Sequence, residues 1–147
     1  MSNNRKFYIN GEWVEPNGSD TVDVINPATE DVVGTIALGT HEDVDAAVAA
    51  AQNAFETFSQ TTVEERLELL NKITEIIGSR SEDLATAITS EMGAPSGLAK
   101  AAQAGTGLFH FATTAGILAN FNFEEELGKS LIVKEPVGVV GMITPWN

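Results

Sequence analysis

Hydrophobic and polar residues alternate over short runs in the first third of the chain, and turn residues separate these runs. In the stretch FYINGEWV, Asn10-Gly11 stands between two runs of aromatic and β-branched residues. This arrangement is the strongest short-range signal for a β-hairpin. A second alternating run, TVDVI, is interrupted at Asn26-Pro27 and resumes as VVGTI. The pattern therefore predicts two successive hairpins.

A helical period replaces the alternation from Thr40 onwards. Thr40 is the predicted N-cap of a first helix, and Asp43 follows three residues later, as in a capping box. The apolar residues of this helix fall on one face at helical spacing: Val44, Ala47, Val48, Ala51, Phe55 and Phe58.

A second helical pattern begins with Thr62 and Glu65 as another capping box and continues to Met92. It tolerates Gly78 at a cost of roughly 1 kcal/mol. Gly93 and the proline two residues later then stop it. Its apolar residues recur at helical spacing: Leu67, Leu70, Ile73, Ile77, Leu84, Ile88 and Met92.

A third helix is predicted over residues 96–120. We expect five of its residues to point inward: Leu98, Ala102, Leu108, Phe109 and Ala112.

The last part of the chain returns to a strand pattern. One connecting strand is predicted over Leu131–Lys134, followed by a break at Pro136 and a further strand over Val137–Ile143. The last run lacks polar alternation, which is typical of parallel sheets covered on both faces. Parallel strands need crossover connections and further strands. The predicted fold class is therefore α/β, with a sheet that only begins within these residues.

Composition narrows the possible partners and sites. The 147 residues carry 8 Lys+Arg against 21 Asp+Glu, a formal charge of −13, which disfavours nucleic acids and anionic membranes. With no cysteine, the chain holds no disulfide, thiolate metal site or cysteine nucleophile. The polar amino terminus and the lack of a long apolar run predict a cytoplasmic protein with no membrane span. Asn17-Gly18-Ser19 matches a glycosylation acceptor, a tripeptide that is common by chance.

Several polar motifs fit structural roles better than catalytic ones. GTGLFH, which starts at Gly105, begins like a dinucleotide fingerprint, but it lacks the third glycine and lies in a helical pattern. We interpret its small residues as a site of close helix packing. His41 and His110 have no metal-ligand spacing, and Glu124-Glu125-Glu126 fits a solvated charge run. No metal site is predicted.

The motif at residues 143–147 is the best candidate for chemistry. It comprises Ile143, Thr144, Pro145, Trp146 and Asn147. It follows the carboxyl end of a predicted buried strand, where α/β sheets bind ligands. An asparagine amide in such a position can donate a hydrogen bond to an oxyanion. The alternative is a turn that only ends the strand.

Five fragments together resemble the amino-terminal portion of the NAD(P)-dependent aldehyde dehydrogenases. They occur in order along the chain: NGEWV, VINPATEDVVGTIALGTHEDVDAAVAAAQNAF, ERLELLNKI, EMGAP and KEPVGVVGMITPWN. The resemblance extends from Phe7 to Asn147. It implies NAD or NADP as cofactor, an aldehyde as substrate, and a homo-oligomer, dimeric or tetrameric, for the full-length enzyme.

The resemblance also implies a division of the chain. Residues 1–120 would hold the hairpins and helices of the cofactor-binding domain. Residues 121–135 would begin a bridging element that pairs subunits, and residues 136–147 would form the first strand and turn of the cofactor-binding sheet. We expect this to be an incomplete, amino-terminal part of the family's fold.

By the same resemblance, Asn147 matches the catalytic asparagine, and the turn from Ile143 to Trp146 lies along the dinucleotide. In the family, a cysteine thiolate attacks the aldehyde, the asparagine amide helps to hold the resulting oxyanion, and a glutamate activates water to hydrolyse the thioester. The cysteine and that glutamate are expected beyond Asn147. We therefore expect the 147 residues alone to be inactive.

Some members of the family also bind a monovalent cation near the residues that match Val24, Ile25 and Glu91, with a further ligand expected downstream.

Two alternatives to a catalytic fragment stay open. The chain could be a non-catalytic interaction module that associates with full-length subunits, or an independent small α/β binding domain.

Overall fold

The computed structural model of the chain describes residues 5–144. Six strands form three separate two-stranded antiparallel sheets: β1 (Phe7–Ile9) with β2 (Glu12–Val14), β3 (Thr21–Ile25) with β4 (Val32–Ala37), and β5 (Glu124–Leu127) with β6 (Ser130–Val133). The helices are α1 (His41–Phe58), α2 (Val63–Ser79), α3 (Ser81–Met92), α4 (Ser96–Leu98), a π-helical segment (Ala99–Ala104) and α5 (Gly105–Leu118).

Both predicted amino-terminal hairpins are confirmed. In the first, Ile9 pairs with Glu12 across a two-residue turn in which Asn10 and Gly11 have φ values of 53° and 81°. Positive φ at both turn residues is what a type I′ turn requires, which explains the Asn-Gly sequence. The second hairpin runs in register from Thr21, opposite Ala37, and its register shifts between Val24 and the next residue.

The first helix begins where the capping signal predicts. The hydroxyl of Thr40 accepts from the backbone N–H of Asp43 at 3.4 Å, and the Asp43 carboxylate accepts from the backbone N–H of Thr40 at 2.8 Å. The apolar face of α1 is only partly covered, because Val44 and Phe58 remain more than half exposed. Among the residues that the structure describes, no helix is both long and apolar enough to cross a membrane.

The second helical pattern forms two helices, not the single predicted one. Thr62 and Glu65 form the expected capping box at the start of α2. The helix ends at Ser79, and α3 starts at Ser81 after Arg80, whose φ and ψ are −109° and 16°. The break follows Gly78, because a helix is easiest to interrupt where its propensity is lowest.

The third predicted helix is present but contains an unpredicted π-helical segment over Ala99–Ala104. Each π-helical turn holds more residues than an α-helical turn, so the residues that follow are rotated about the axis. Ala99 and Ala104, within the segment, are buried, whereas Leu98 before it and Phe109 after it, both predicted to point inward, are exposed. Ala102 and Ala112 are exposed as well, and Leu108 is half-buried.

The carboxyl-terminal strands differ from the prediction. The predicted single strand is the second arm of a hairpin, because the acidic run from Glu124 forms β5 and pairs with β6 across a turn at Gly128. The strand predicted over Val137–Ile143 is not formed, since residues 134–144 adopt neither helix nor strand. A parallel strand exists only when it pairs with a neighbour, and each of the described strands pairs with another strand of its own hairpin.

The core within residues 5–144 is small and made of alanines. Ala85, Ala94, Ala99 and Ala104 form the buried cluster where α3 meets the π-helical segment, and no large side chain in these residues is fully buried. The chain exposes 11242 Å², whereas a compact 15.6 kDa monomer exposes about 7,200 Å². The helices and hairpins therefore leave far more of their surface exposed than a compact domain of this mass does.

Candidate functional site

The predicted catalytic and cofactor motif lies at the carboxyl-terminal limit of the described residues. Ile143 is 99% exposed, and Thr144 is exposed beside it. Pro145, Trp146 and Asn147 lie outside the described residues. Within residues 5–144, no hydrogen bond engages the main chain of Ile143 or Thr144.

The segment that leads to this motif is anchored at its start by the third hairpin. The Lys134 backbone N–H donates to the Phe123 carbonyl at 2.8 Å, and its ammonium donates to the Asn122 carbonyl at 2.9 Å. The same ammonium lies 5.3 Å from the centre of the Phe121 ring, a cation–π distance. Beyond this anchor the apolar side chains face solvent, with Val137 91% exposed.

A small cavity brings together two of the three residues near which the sequence resemblance implies a cation. Val24 on β3 and Glu91 on α3 both line a cavity of about 220 Å³ between the second hairpin and the helix, whereas Ile25 does not. Residues 5–144 contain no group of three or more His, Cys, Asp or Glu side chains placed to hold a metal ion. The cavity thus has one carboxylate, and its wall exposes more polar than apolar surface although most of its side chains are apolar.

This cavity is positioned by a close contact between the second hairpin and the end of α3. Gly93 ends the helix with φ 75°, and a β-carbon placed there would lie 2.6 Å from Cγ of Pro27 in the β3–β4 connection. Only glycine permits both the left-handed backbone and this approach. The contact between Gly93 and Pro27 holds the β3–β4 hairpin against the end of α3.

Asp43 is the most buried charged group in the described residues, with 5% of its surface exposed. One carboxylate oxygen accepts from the backbone N–H and hydroxyl of Thr40, at 2.8 and 3.1 Å. The other accepts from the backbone N–H and side-chain amide of Asn17, at 3.0 and 2.8 Å. These hydrogen bonds, those from the backbone of Thr40 first, hold the pKa of Asp43 below its ordinary value.

The role of Asp43 is structural, because its four hydrogen bonds tie the loop after β2 to the start of α1. The neighbouring carboxyl of Glu42 also has a lowered pKa, chiefly through its hydrogen bond with the Thr40 side chain. The sequence predicted the cap at Thr40 but not the contact with Asn17, which is 26 positions distant from Asp43.

The weaker candidates do not assemble into a site. His41 begins α1 and His110 is an exposed residue of α5, 6.1 Å between ring centres from Phe109. The interpretation of the GTG stretch as close helix packing is wrong at Gly107, since a β-carbon there would meet nothing within 4 Å. The acidic residues 124–126 are exposed, although they form a strand.

Comparison with known proteins identifies the family. Residues 13–147 match the sequence profile of the Aldehyde dehydrogenase family. A 3-succinoylsemialdehyde-pyridine dehydrogenase from a Pseudomonas species is 52% identical over the whole chain, which spans 31% of that relative. The chain thus spans less than a third of the length of this curated relative.

Solved structures show the same relationship. Aldehyde dehydrogenase C from Pseudomonas syringae, a mutant in complex with NAD+ and octanal, superposes with a TM-score of 0.89 at 41% identity. That match covers 92% of the present chain and 28% of the other. The aldehyde dehydrogenase from Bartonella henselae gives a TM-score of 0.84 at 43% identity, over 88% of this chain and 27% of that one. The described fold therefore corresponds to an incomplete portion of that fold.

Proposed function

The chain belongs to the aldehyde dehydrogenase family, and from that premise we propose that it is the amino-terminal part of an enzyme that oxidises an aldehyde to a carboxylic acid with reduction of NAD or NADP. The observation that carries the proposal is the match of residues 13–147 to the family together with a TM-score of 0.89 to a member solved with NAD+ and octanal.

In this proposal the residues of the ITPWN motif supply two functions. The main chain from Ile143 to Trp146 lies along the dinucleotide, which accepts the hydride when bound. The proposal is supported by the exposure of Ile143 and Thr144, whose main chain makes no hydrogen bond to any residue of 5–144. The side-chain amide of Asn147 would donate a hydrogen bond to the aldehyde oxygen and stabilise the negative charge that develops on it when the carbonyl carbon is attacked.

The nucleophile and the general base are not supplied by these 147 residues. No cysteine is present, so no thiolate of this chain can attack the aldehyde. We place both groups, the remaining strands of the cofactor sheet and the residues that select NAD or NADP in the part of the enzyme that follows Asn147. The proposed location of the enzyme is the cytoplasm.

The test compares the gene product extended through the downstream reading frame with the 147-residue chain. The extended protein should form NADH or NADPH only when an aldehyde is present, and the 147 residues alone should form neither. Aldehyde-dependent turnover by the short chain, or none by the extended protein across a panel of aldehydes with both cofactors, would overturn the proposal.

A second candidate function is that of an interaction module that binds full-length subunits. The observation favouring it is the β5–β6 hairpin, in which the described strands pair only with each other and Leu127, Leu131 and Val133 are exposed. Such open edges are templates for pairing with another chain. A tagged 147-residue chain should then retain a full-length homologue on purification, and Leu131→Pro should abolish the retention. A monomeric chain that retains nothing would exclude this role.

A further inference from the structure

The chain contains two Asn-Gly pairs with contrasting surroundings, Asn10-Gly11 and Asn17-Gly18. Asparagine followed by glycine is the pair most prone to spontaneous deamidation, because glycine offers no side chain to hinder attack by its own nitrogen. We propose that Asn10 is a deamidation site of this protein and that Asp43 protects Asn17 from the same reaction.

The reaction is the same at either pair and involves no oxidant or reductant. The main-chain nitrogen of the glycine attacks Cγ of the asparagine, a C–N bond forms, and the bond from Cγ to Nδ2 breaks. Ammonia leaves with the proton of the glycine N–H, and a five-membered succinimide remains. Water then opens the ring at either carbonyl and yields aspartate or isoaspartate.

At the first pair, little restrains this attack. Asn10 and Gly11 are both exposed, and a β-carbon on Gly11 would meet nothing within 4 Å. No hydrogen bond within residues 5–144 holds the Asn10 side chain. Ring closure requires rotation about the Cα–C bond of Asn10, and the flanking strands, three residues each, give this turn little rigidity.

At the second pair, the Asn17 side chain is held by hydrogen bonds although the residue is exposed, and Gly18 lies close against Thr40. The Asn17 amide donates to the Asp43 carboxylate at 2.8 Å, and the Asn17 backbone N–H donates to it at 3.0 Å. Gly18 is half-buried, and a β-carbon there would lie only 2.8 Å from Cγ2 of Thr40. The main chain therefore cannot rotate to bring the Gly18 nitrogen to Cγ unless the Asp43 hydrogen bonds break.

Deamidation would also have different consequences at the two pairs. At Asn10 it adds an exposed charge, and the isoaspartate product adds an atom to the main chain of the turn that sets the Ile9–Glu12 pairing. At Asn17 it would replace an amide donor by a second carboxylate beside Asp43, so that an attractive contact becomes a repulsive one.

The test is to incubate the whole chain at mildly alkaline pH in native buffer and in concentrated urea. Cleavage after Glu12 separates the two pairs, and tandem mass spectrometry then gives the rate at each. In native buffer Asn10 should deamidate several-fold faster than Asn17, and in urea the two rates should converge. Equal rates in native buffer would overturn the proposal.

Two matched variants test the part assigned to Asp43. Asp43→Ala should raise the Asn17 rate towards its value in urea and leave the Asn10 rate unchanged. Glu65→Ala removes the carboxylate from the equivalent position of the α2 capping box, far along the sequence from either pair, and should change neither rate. If Asp43→Ala leaves the Asn17 rate unchanged, the carboxylate does not protect it.

Discussion

Asp43 and Asn17 are joined by two hydrogen bonds, of 2.8 and 3.0 Å, although 26 positions separate them along the chain. The same carboxylate caps α1 through Thr40. A single buried side chain therefore connects the loop after the first hairpin with the first helix. Because these bonds favour the ionised form, they make the stability of this junction depend on pH.

The first prediction concerns acid stability. The pKa of Asp43 is lowered by folding from its ordinary value of 3.8. Its contribution to stability is therefore complete above that value and is lost as the pH falls through the lower pKa of the folded state. Asp43→Ala should lower stability at neutral pH and flatten the loss of stability below about pH 4.

Urea unfolding followed by circular dichroism across this pH range measures the effect. Asp45→Ala is the control, because Asp45 is an exposed carboxylate two residues further along the same helix. An Asp43→Ala protein with the same acid profile as the unmodified chain would contradict the assignment.

The second prediction concerns Gly93. Alanine there would need a left-handed backbone and would place its β-carbon 2.6 Å from Pro27. We expect Gly93→Ala to reduce the free energy of unfolding by more than about 1 kcal/mol. Gly107→Ala is the opposite case, since its β-carbon meets nothing within 4 Å. It should raise helix stability by about 0.5–1 kcal/mol. Equal effects of the two substitutions on urea unfolding would refute the proposed packing of Gly93 on Pro27.

The third prediction concerns exposed apolar surface. Met142 and Ile143 are 85% and 99% exposed, and Phe109 on α5 is 66% exposed. The 147-residue chain should bind a hydrophobic dye more strongly than a compact protein of the same mass. Dye binding no higher than that of such a protein would show that these surfaces are covered in solution.

The fourth prediction concerns Asn147 in the protein extended past that residue. Loss of one oxyanion donor lowers kcat by about 10²–10³. Asn147→Ala should therefore reduce kcat by this factor without a comparable rise in KM for the aldehyde. Asn53→Ala replaces an exposed asparagine of α1 and should leave kcat unchanged. An Asn147→Ala enzyme with nearly full kcat would remove the asparagine from the proposed mechanism.

Local signals in the sequence predicted local structure well. The capping boxes at Thr40 and Thr62 and the Asn10-Gly11 turn lie where the sequence placed them, because each depends on residues within four positions. The Asn17–Asp43 contact could not be predicted in this way, since nothing in the pattern pairs residues so far apart.

The errors have two physical origins. The π-helical segment over Ala99–Ala104 rotates α5 relative to a regular helix, so a constant period assigned Phe109 and Ala112 wrongly to the inward face. Strand β5 is acidic and exposed and lacks the apolar alternation on which strand prediction depends. The strand over Val137–Ile143 needs partners that the described residues do not supply.

The nucleotide sequence that follows the codon for Asn147 tests most directly whether the chain is part of a longer enzyme. If the chain is the amino-terminal part of an aldehyde dehydrogenase, an open frame, or one restored by a single frameshift, should encode the missing two thirds or so of the enzyme, with a cysteine nucleophile and a glutamate base, because the chain spans 31% of the Pseudomonas relative. A stop codon followed by unrelated sequence would contradict that account.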